Sequence, residues 1–306
     1  MKAAALLAAR LCCHNMTRQF LQTACVDWSG AAIERPPGIA VATALPEQAP
    51  VLVRPEHKWS RHDVMDWLIS LSETQADIVI GLDLSFGFPF ADQSAYFPQW
   101  PQSPSSARAL WHCADALCAD DPYLTAASFL AHDQARRHFR HSKDDVGDLF
   151  GGGIGRLRVV EHHQRITKQA NSWSCFNLVG AGQVGKSSLT GMRMLHQLSG
   201  RIPIWPFDPV PERGPLIIEI YTTMAARAAG MPPGRSKVRD RSGLIAALTA
   251  LGSPAPARLA RYDDHATDAL ITAAWLQKAA ANSSYWTPAL LTPKISATEG
   301  WTFGVI

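Results

Sequence analysis

Short apolar runs separated by turn residues open the chain, and they predict a small antiparallel meander. The runs cover residues 23–28, 38–43 and 50–54, and flanking glycine, serine or proline makes them typical of strands. Three strands so close in sequence can be joined only by tight connections. Neighbouring strands should therefore be antiparallel.

The pattern then changes to a helix followed by a buried strand. Ser60 has the chemistry of an N-cap, and apolar residues recur at helical spacing from there to residue 73. Residues 77–84 form a near-continuous apolar run, as in a strand that is covered on both faces. Further along, the same criteria predict strands over 157–160 and 215–221, an apolar stretch over 176–179, and helices over 188–198 and 263–280.

Residues 91–150 differ in amino-acid composition from the rest of the chain. Prolines lead into segments rich in histidine and arginine, and three glycines at 151–153 follow, so we expect a helical insertion. The predicted organisation is an N-terminal extension (1–22), one α/β domain (23–282) that contains the insertion, and an irregular C-terminal tail (283–306). Whether Met1 or Met16 is the true start stays open.

Bulk composition excludes several classes of protein. With 306 residues and 47% hydrophobic content, the chain can bury a large core. Basic residues number 29 against 26 acidic ones, so any nucleic-acid contact has to be local. We expect no membrane span, because no apolar run approaches the ~20 residues that one needs. Six cysteines without paired CxxC spacing predict reduced thiols in a cytoplasmic protein.

Five acidic residues stand where burial is expected. Asp27 and Asp83 each end an apolar strand, Glu219 lies within another, and Asp264 and Asp268 are four apart on the last helix. A buried carboxylate is costly unless it is paired or binds a cation, and like charges brought together raise one another's pKa. Two Mg²⁺ or Mn²⁺ ions would neutralise such a cluster and would hydrolyse a phosphodiester.

The sequence therefore predicts a two-metal site with all five acids as ligands and with Asp27, Asp83, Glu219 and Asp268 as the catalytic set. Each acid taken alone has another explanation. Asp264 fits the start of a helix, Asp27 could cap a turn, and Glu219 could lie at a sheet edge. Their joint occurrence is what favours a metal site.

At these positions the chain resembles the DUF429 family of predicted nucleases, which are grouped with ribonuclease-H-like proteins. Its closing segment, residues 265–270, is also similar to the last catalytic helix of RuvC-type resolvases. The matching pieces are Val26-Asp27-Trp28-Ser29-Gly30, Gly81-Leu82-Asp83-Leu84 with Pro89, Arg158 with Glu161, Val184-Gly185 leading to Leu189-Thr190-Gly191, Glu219-Ile220-Tyr221, and Asp263-Asp264 through Asp268-Ala269.

The resemblance implies an α/β fold of the ribonuclease-H-like kind: a mixed sheet with flanking helices, with Asp27 on its first, central strand and a Mg²⁺-dependent nuclease site. It identifies no substrate, so DNA and RNA both stay open. The opening residues and the helical insertion depart from the family pattern, and either could alter access to the site.

A competing motif lies at residues 180–187, which fit the phosphate-binding pattern G-x-x-x-x-G-K-[ST]. Such a loop normally follows the first strand of its domain and is paired with a later aspartate, whereas here the only later candidate is Glu219. Lys186 and Arg158 could instead contact the phosphates of a nuclease substrate. Histidines and arginines of the insertion, over residues 131–143, could likewise clamp a phosphate backbone.

The leading hypothesis is a Mg²⁺- or Mn²⁺-dependent nuclease that acts on DNA or RNA. Two alternatives stay open, which are a nucleotide-binding protein that uses residues 180–187 and a non-catalytic ribonuclease-H-like scaffold.

Overall fold

The computed structural model describes residues 18–180, 183–234 and 237–306, and a six-stranded mixed sheet forms its centre. The strands lie in the order β3-β2-β1-β4-β6-β5. The first three pair as an antiparallel meander, whereas β4 is parallel to β1 and to β6, and β5 is parallel to β6. The strands are β1 (Gln22–Asp27), β2 (Ala40–Ala44), β3 (Val51–Leu52), β4 (Ile78–Asp83), β5 (Ile204–Trp205) and β6 (Leu216–Glu219).

Helices flank the sheet, as the α/β prediction requires. Two short 3₁₀ turns, at Pro122–Leu124 and Arg136–His138, lie between them. The α-helices of the described chain are α1 (Arg61–Glu73), α2 (Ala107–Leu117), α3 (Ala127–Ala131), α4 (Val159–Ile166), α5 (Gly185–Leu198), α6 (Thr222–Ala228), α7 (Arg241–Ala250), α8 (Asp264–Ala279), α9 (Ser283–Trp286) and α10 (Pro293–Thr298).

Alternation along the strands divides the core into two layers. Val26 and Leu82 point to one face, where α1, α2 and α5 pack, and we call this the α5 face. Cys25 and Val79 point to the other, where α8 packs against β1 and β2, and we call this the α8 face. Because side chains alternate with a period of two, a residue's place in its strand decides which layer it joins.

Several predicted elements are confirmed, with ends within two residues of the predicted ones. The meander, the strand over 77–84 and the last long helix all form. Ser60 caps α1 through a reciprocal pair of hydrogen bonds with Asp63, a capping box. In the described part of the chain, no helix is long and apolar enough to cross a membrane. The four described cysteines are free thiols.

Two predicted elements of the middle of the chain are wrong. The expected strand over 157–160 is the start of α4, because Glu161 accepts a hydrogen bond from the backbone N–H of Arg158 and so caps a helix. Residues 176–179 form no strand and contribute only an isolated bridge between Asn177 and Arg140. In both places a short apolar run packs as part of a helix or loop, which periodicity alone cannot distinguish from a strand.

The insertion and the tail are both built into the core. Within residues 91–150, α2 packs against α5, and Phe97, Phe129 and Phe139 join Phe176 in an aromatic cluster. The basic segment over 131–141 contains one 3₁₀ turn rather than the expected helix. The tail, predicted to be irregular, contains α9 and α10, and Trp301, Phe303 and Val305 near its end are fully buried.

Candidate functional site

Two of the predicted acids lie side by side at the carboxyl ends of neighbouring strands. Asp27 of β1 is paired with Asp83 of β4, which is the last pair of their parallel ladder. Paired residues of a parallel ladder point to the same face at a strand spacing of about 4.8 Å. Both carboxylates therefore point to the α8 face; Asp27 is buried and Asp83 is partly buried.

Asp268 brings a third carboxylate to the same place from α8. This helix starts at an N-cap, Asp263, whose side chain accepts a hydrogen bond of 2.9 Å from the N–H of Ala266. Asp268 lies one turn further on and is buried. We call Asp27, Asp83 and Asp268 the acidic cluster.

Electrostatics indicate how strongly the three carboxylates interact. Desolvation, followed by the charges of Asp27 and Asp268, raises the pKa of Asp83 to about 8. Desolvation also raises the pKa of Asp268 to about 6 and that of Asp27 above its ordinary value. Full ionisation of the cluster is therefore energetically costly, and a bound cation would relieve that cost.

Two nitrogen groups and a threonine contact the cluster. The ammonium group of Lys237 donates a hydrogen bond to Asp268 Oδ2, and that carboxylate raises the pKa of Lys237 against the opposing effect of burial. His265 Nδ1 lies 3.2 Å from Asp27 Oδ2, and this hydrogen bond raises the pKa of the imidazole. The backbone N–H and the hydroxyl of Thr222 each donate to Asp83 at 3.3 Å.

Glu219, which was predicted to belong to the site, lies outside the acidic cluster. Its register partner is Leu82 rather than Asp83, so alternation turns its side chain to the α5 face. There it is 2% exposed and forms a bidentate ion pair with Arg158, at 2.6 and 2.8 Å. The Phe86 N–H, at 2.7 Å, and the Thr302 hydroxyl donate to the same carboxylate.

Arg158 is likewise unavailable as the predicted phosphate contact. Its side chain is buried, and its guanidinium donates to Glu161 and to the backbone carbonyl of Glu299, at 2.9 Å each, as well as to Glu219. These groups form a closed ion-pair network, which we call the Arg158 network. Glu299 completes it by accepting hydrogen bonds from the N–H groups of Phe90 and two other residues.

Asp264, the fifth predicted ligand, is partly buried at the start of α8 and is paired with an arginine. Arg239 donates to both of its carboxylate oxygens, at 2.7 and 2.9 Å. This pairing holds the pKa of Asp264 below its ordinary value. Its helix-start position explains the residue without a metal.

The glycine-rich motif lacks the strand that a phosphate-binding loop requires. Residues 181 and 182 lie outside the described chain, but the residues before them form no strand and helix α5 begins only at Gly185. The start of α5 packs against the turn after β1, since a Cβ on Gly30 would lie 2.4 Å from the backbone of Lys186. The side chain of Lys186 is exposed, and its backbone lies against the turn that follows Asp27.

The basic residues of the insertion are partly neutralised. Arg137 forms an ion pair with Asp148 at 2.6 Å, and Arg136 lies 3.6 Å from Asp145. The predicted phosphate clamp therefore has less free charge than its composition suggests.

Sequence reasoning missed Lys237, the main counter-charge of the acidic cluster. It lies 31 residues before its partner Asp268, in a segment whose charged residues carry no periodic signal. Among the described residues, no group of three or more His, Cys, Asp and Glu side chains is arranged to hold a metal ion. The predicted Mg²⁺ or Mn²⁺ cofactor therefore stays a prediction.

Comparison with known proteins adds no assignment. The chain matches no family model, no curated protein and no solved structure at a significant level. The resemblance to the DUF429 family likewise stays a prediction.

Proposed function

We propose that this protein is a Mg²⁺- or Mn²⁺-dependent phosphodiesterase of the ribonuclease-H-like class, which cleaves nucleic acid at Asp27, Asp83 and Asp268. One observation carries the proposal. Two strands and a helix bring three carboxylates together at one end of the sheet. Among the described residues, an ammonium group and an imidazole contact them. Burial and mutual repulsion raise the pKa values of these carboxyl groups, and a bound divalent cation would favour their ionised form.

The donor chemistry fits a hard cation. Carboxylate oxygens are the ligands that Mg²⁺ and Mn²⁺ prefer, and the cluster offers six of them. Lys237 now contacts an oxygen of Asp268, but its side chain is 49% exposed. It can therefore turn into solvent and leave that oxygen to a metal ion.

Each carboxylate has its own support. His265 orients Asp27, Thr222 orients Asp83, and the rigid first turns of α8 position Asp268. Such fixed orientation reduces the reorganisation that the reaction requires. When bound, a divalent ion would neutralise the cluster and activate a water for attack on a phosphodiester.

The sheet order also supports the proposed class. Its mixed topology has β1 in an interior position, and β1 ends in Asp27, as the family resemblance implies. Fold by itself does not determine function, so the acidic cluster carries the argument and the topology adds to it.

Isothermal titration of Mn²⁺ into metal-free protein tests the proposal. We expect binding by the wild type, loss of binding in Asp27→Asn, and wild-type binding in the matched control Asp264→Asn. Cleavage of labelled single-stranded DNA and RNA, measured on the same three proteins with Mn²⁺, should follow the same order.

Two results would contradict the proposal. Absence of Mn²⁺ binding by the wild type would leave the non-catalytic scaffold as the better description. Equal binding by all three proteins would move the metal away from the acidic cluster.

A further inference from the structure

A groove of about 730 Å³ lies beside the acidic cluster. One part of the lining consists of residues 35–37, 39–41 and 50–59, which include β3 at the edge of the sheet. The other part consists of residues 256–261, 263, 265 and 266, which lead into α8. His265 belongs to the lining, and its ring is hydrogen-bonded to Asp27. His265 therefore links the groove to the acidic cluster, whose three carboxylates lie outside the lining.

The lining of this groove is strongly basic. Two acidic residues, Glu56 and Asp263, stand against five cationic ones. The resulting excess of three positive charges equals that of the entire chain, 29 basic against 26 acidic residues. The cationic lining residues are Arg35, Arg54, Lys58, Arg258 and Arg261.

Three of these cations are exposed and unpaired. Arg54, Lys58 and Arg258 form no ion pair with any residue in the described ranges, whereas Arg35 is 2.8 Å from Asp63 and Arg261 is 3.5 Å from an acid of the lining. Free cationic groups gathered in one concave surface attract an anionic ligand and raise its local concentration.

The size of the groove limits what the ligand can be. A volume of about 730 Å³ is that of a small-ligand site, so a double helix cannot enter it. Between the cations the walls carry apolar residues, including Ile39, Leu52 and Pro55. A strand of nucleic acid matches both properties, because its phosphates pair with cations and its bases and sugars pack on apolar surface.

We propose that this groove binds a segment of single-stranded nucleic acid a few nucleotides long and presents its phosphates to the acidic cluster. The presentation step rests on the proposed function, whereas the binding step does not. The groove would thereby select single strands over duplexes.

Fluorescence anisotropy with a labelled oligothymidylate, in EDTA so that no cleavage occurs, tests the binding step. The groove variant combines Arg54→Gln, Lys58→Gln and Arg258→Gln. The control variant removes the same charge from exposed cations outside the groove, by Lys168→Gln, Arg201→Gln and Arg213→Gln. Circular dichroism and thermal melting verify that both variants fold.

We expect the groove variant to bind the oligonucleotide 10- to 100-fold more weakly at low salt, because each neutralised phosphate contributes a salt-dependent increment. The slope of log K against log salt should also fall by about 2, which corresponds to three contacts at about 0.7 each. The control variant should stay within about threefold of the wild type.

Equal losses in both variants would overturn the proposal, because they would show that net charge rather than the groove binds the strand. Competition by an acidic peptide as efficient as that of unlabelled oligonucleotide would overturn it in favour of a protein partner. With Mn²⁺ present, cleavage by the groove variant at the wild-type KM would refute the role of the groove in substrate binding but not the nuclease activity. Oligonucleotide binding by a wild type that cleaves nothing would support the groove as a binding site and refute the nuclease activity.

Discussion

The two faces of the sheet each hold a group of acidic side chains, and the groups differ in how they are satisfied. In the Arg158 network, Glu219 receives four hydrogen bonds, two of them from a buried guanidinium. In the acidic cluster, Asp83 receives two long hydrogen bonds from Thr222 and no cation contacts it directly within the described chain. One arrangement is closed, whereas the other contains a carboxyl group that no cation of the described chain contacts.

This difference distinguishes structural from functional carboxylates. Buried charges that are fully paired maintain a fold, and breaking one pair leaves an uncompensated charge. Carboxylates with few partners destabilise the protein and persist where function needs them. Replacing residues of the two groups should therefore have opposite effects on stability.

Removal of Arg158 should have the largest effect. In Arg158→Met, Glu219 and Glu161 lose their common cation inside the protein, and we expect the free energy of unfolding to fall by about 3–5 kcal/mol. Urea unfolding followed by tryptophan fluorescence measures it. Arg137→Met, which breaks an exposed pair with Asp148, is the control and should leave the midpoint almost unchanged. Similar midpoints for the two variants would contradict the closed network.

Replacement of the titratable carboxyl group of Asp83 should stabilise the metal-free protein. The pKa of Asp83 is about 8 when folded, against an ordinary unfolded value near 4. The folded state therefore keeps a proton that the unfolded state loses, and stability declines as the pH rises from about 4 to 8. Asp83→Asn lacks this decline, so its advantage in Tm over the wild type should grow across that range to at least about 2 °C.

Calorimetry of both proteins in EDTA, at several values of pH between 4 and 9, measures this difference. A constant difference in Tm across the range would show that Asp83 titrates normally and would remove the main contrast between the two faces.

Replacement of Lys237 should lower the stability by an intermediate amount, and bound metal should offset this loss. Lys237→Met removes the cation that contacts Asp268, so we expect a loss of about 1 kcal/mol, reduced from that of a buried pair because the lysine is half exposed. Millimolar Mn²⁺ should then raise the Tm of the variant more than that of the wild type, because metal binds the folded state without displacing an ammonium. An equal rise in both proteins would place the metal elsewhere.

Asp264→Asn should have the smallest effect of all. Its carboxylate pairs with Arg239 at the protein surface, where ion pairs contribute little. We expect the Mn²⁺ affinity to stay within about twofold of the wild type by calorimetric titration. A larger loss would return Asp264 to the site as a ligand.

Sequence patterns predicted much of the fold at the level of elements. The meander, α1, β4, β6 and α8 form as their periodicity and caps indicate, because these signals are local. The short strand β5 and the helices α6 and α7 escaped prediction, and the run over 157–160 was assigned to the wrong class. Such short segments take their conformation from the neighbours against which they pack.

The sequence identified the individual acidic residues, but it did not determine which of them lie together in the structure. Residue type and position in an apolar strand determined that Asp27, Asp83 and Glu219 needed partners, because a buried carboxylate is costly wherever it lies. Only the tertiary structure decided which partners those were. The register of β6 places Glu219 opposite Leu82 and turns it toward Arg158, whereas the ladder of β1 and β4 unites Asp27 with Asp83. A shift of one residue exchanges the faces of a strand, and no local signal in the sequence specifies that register.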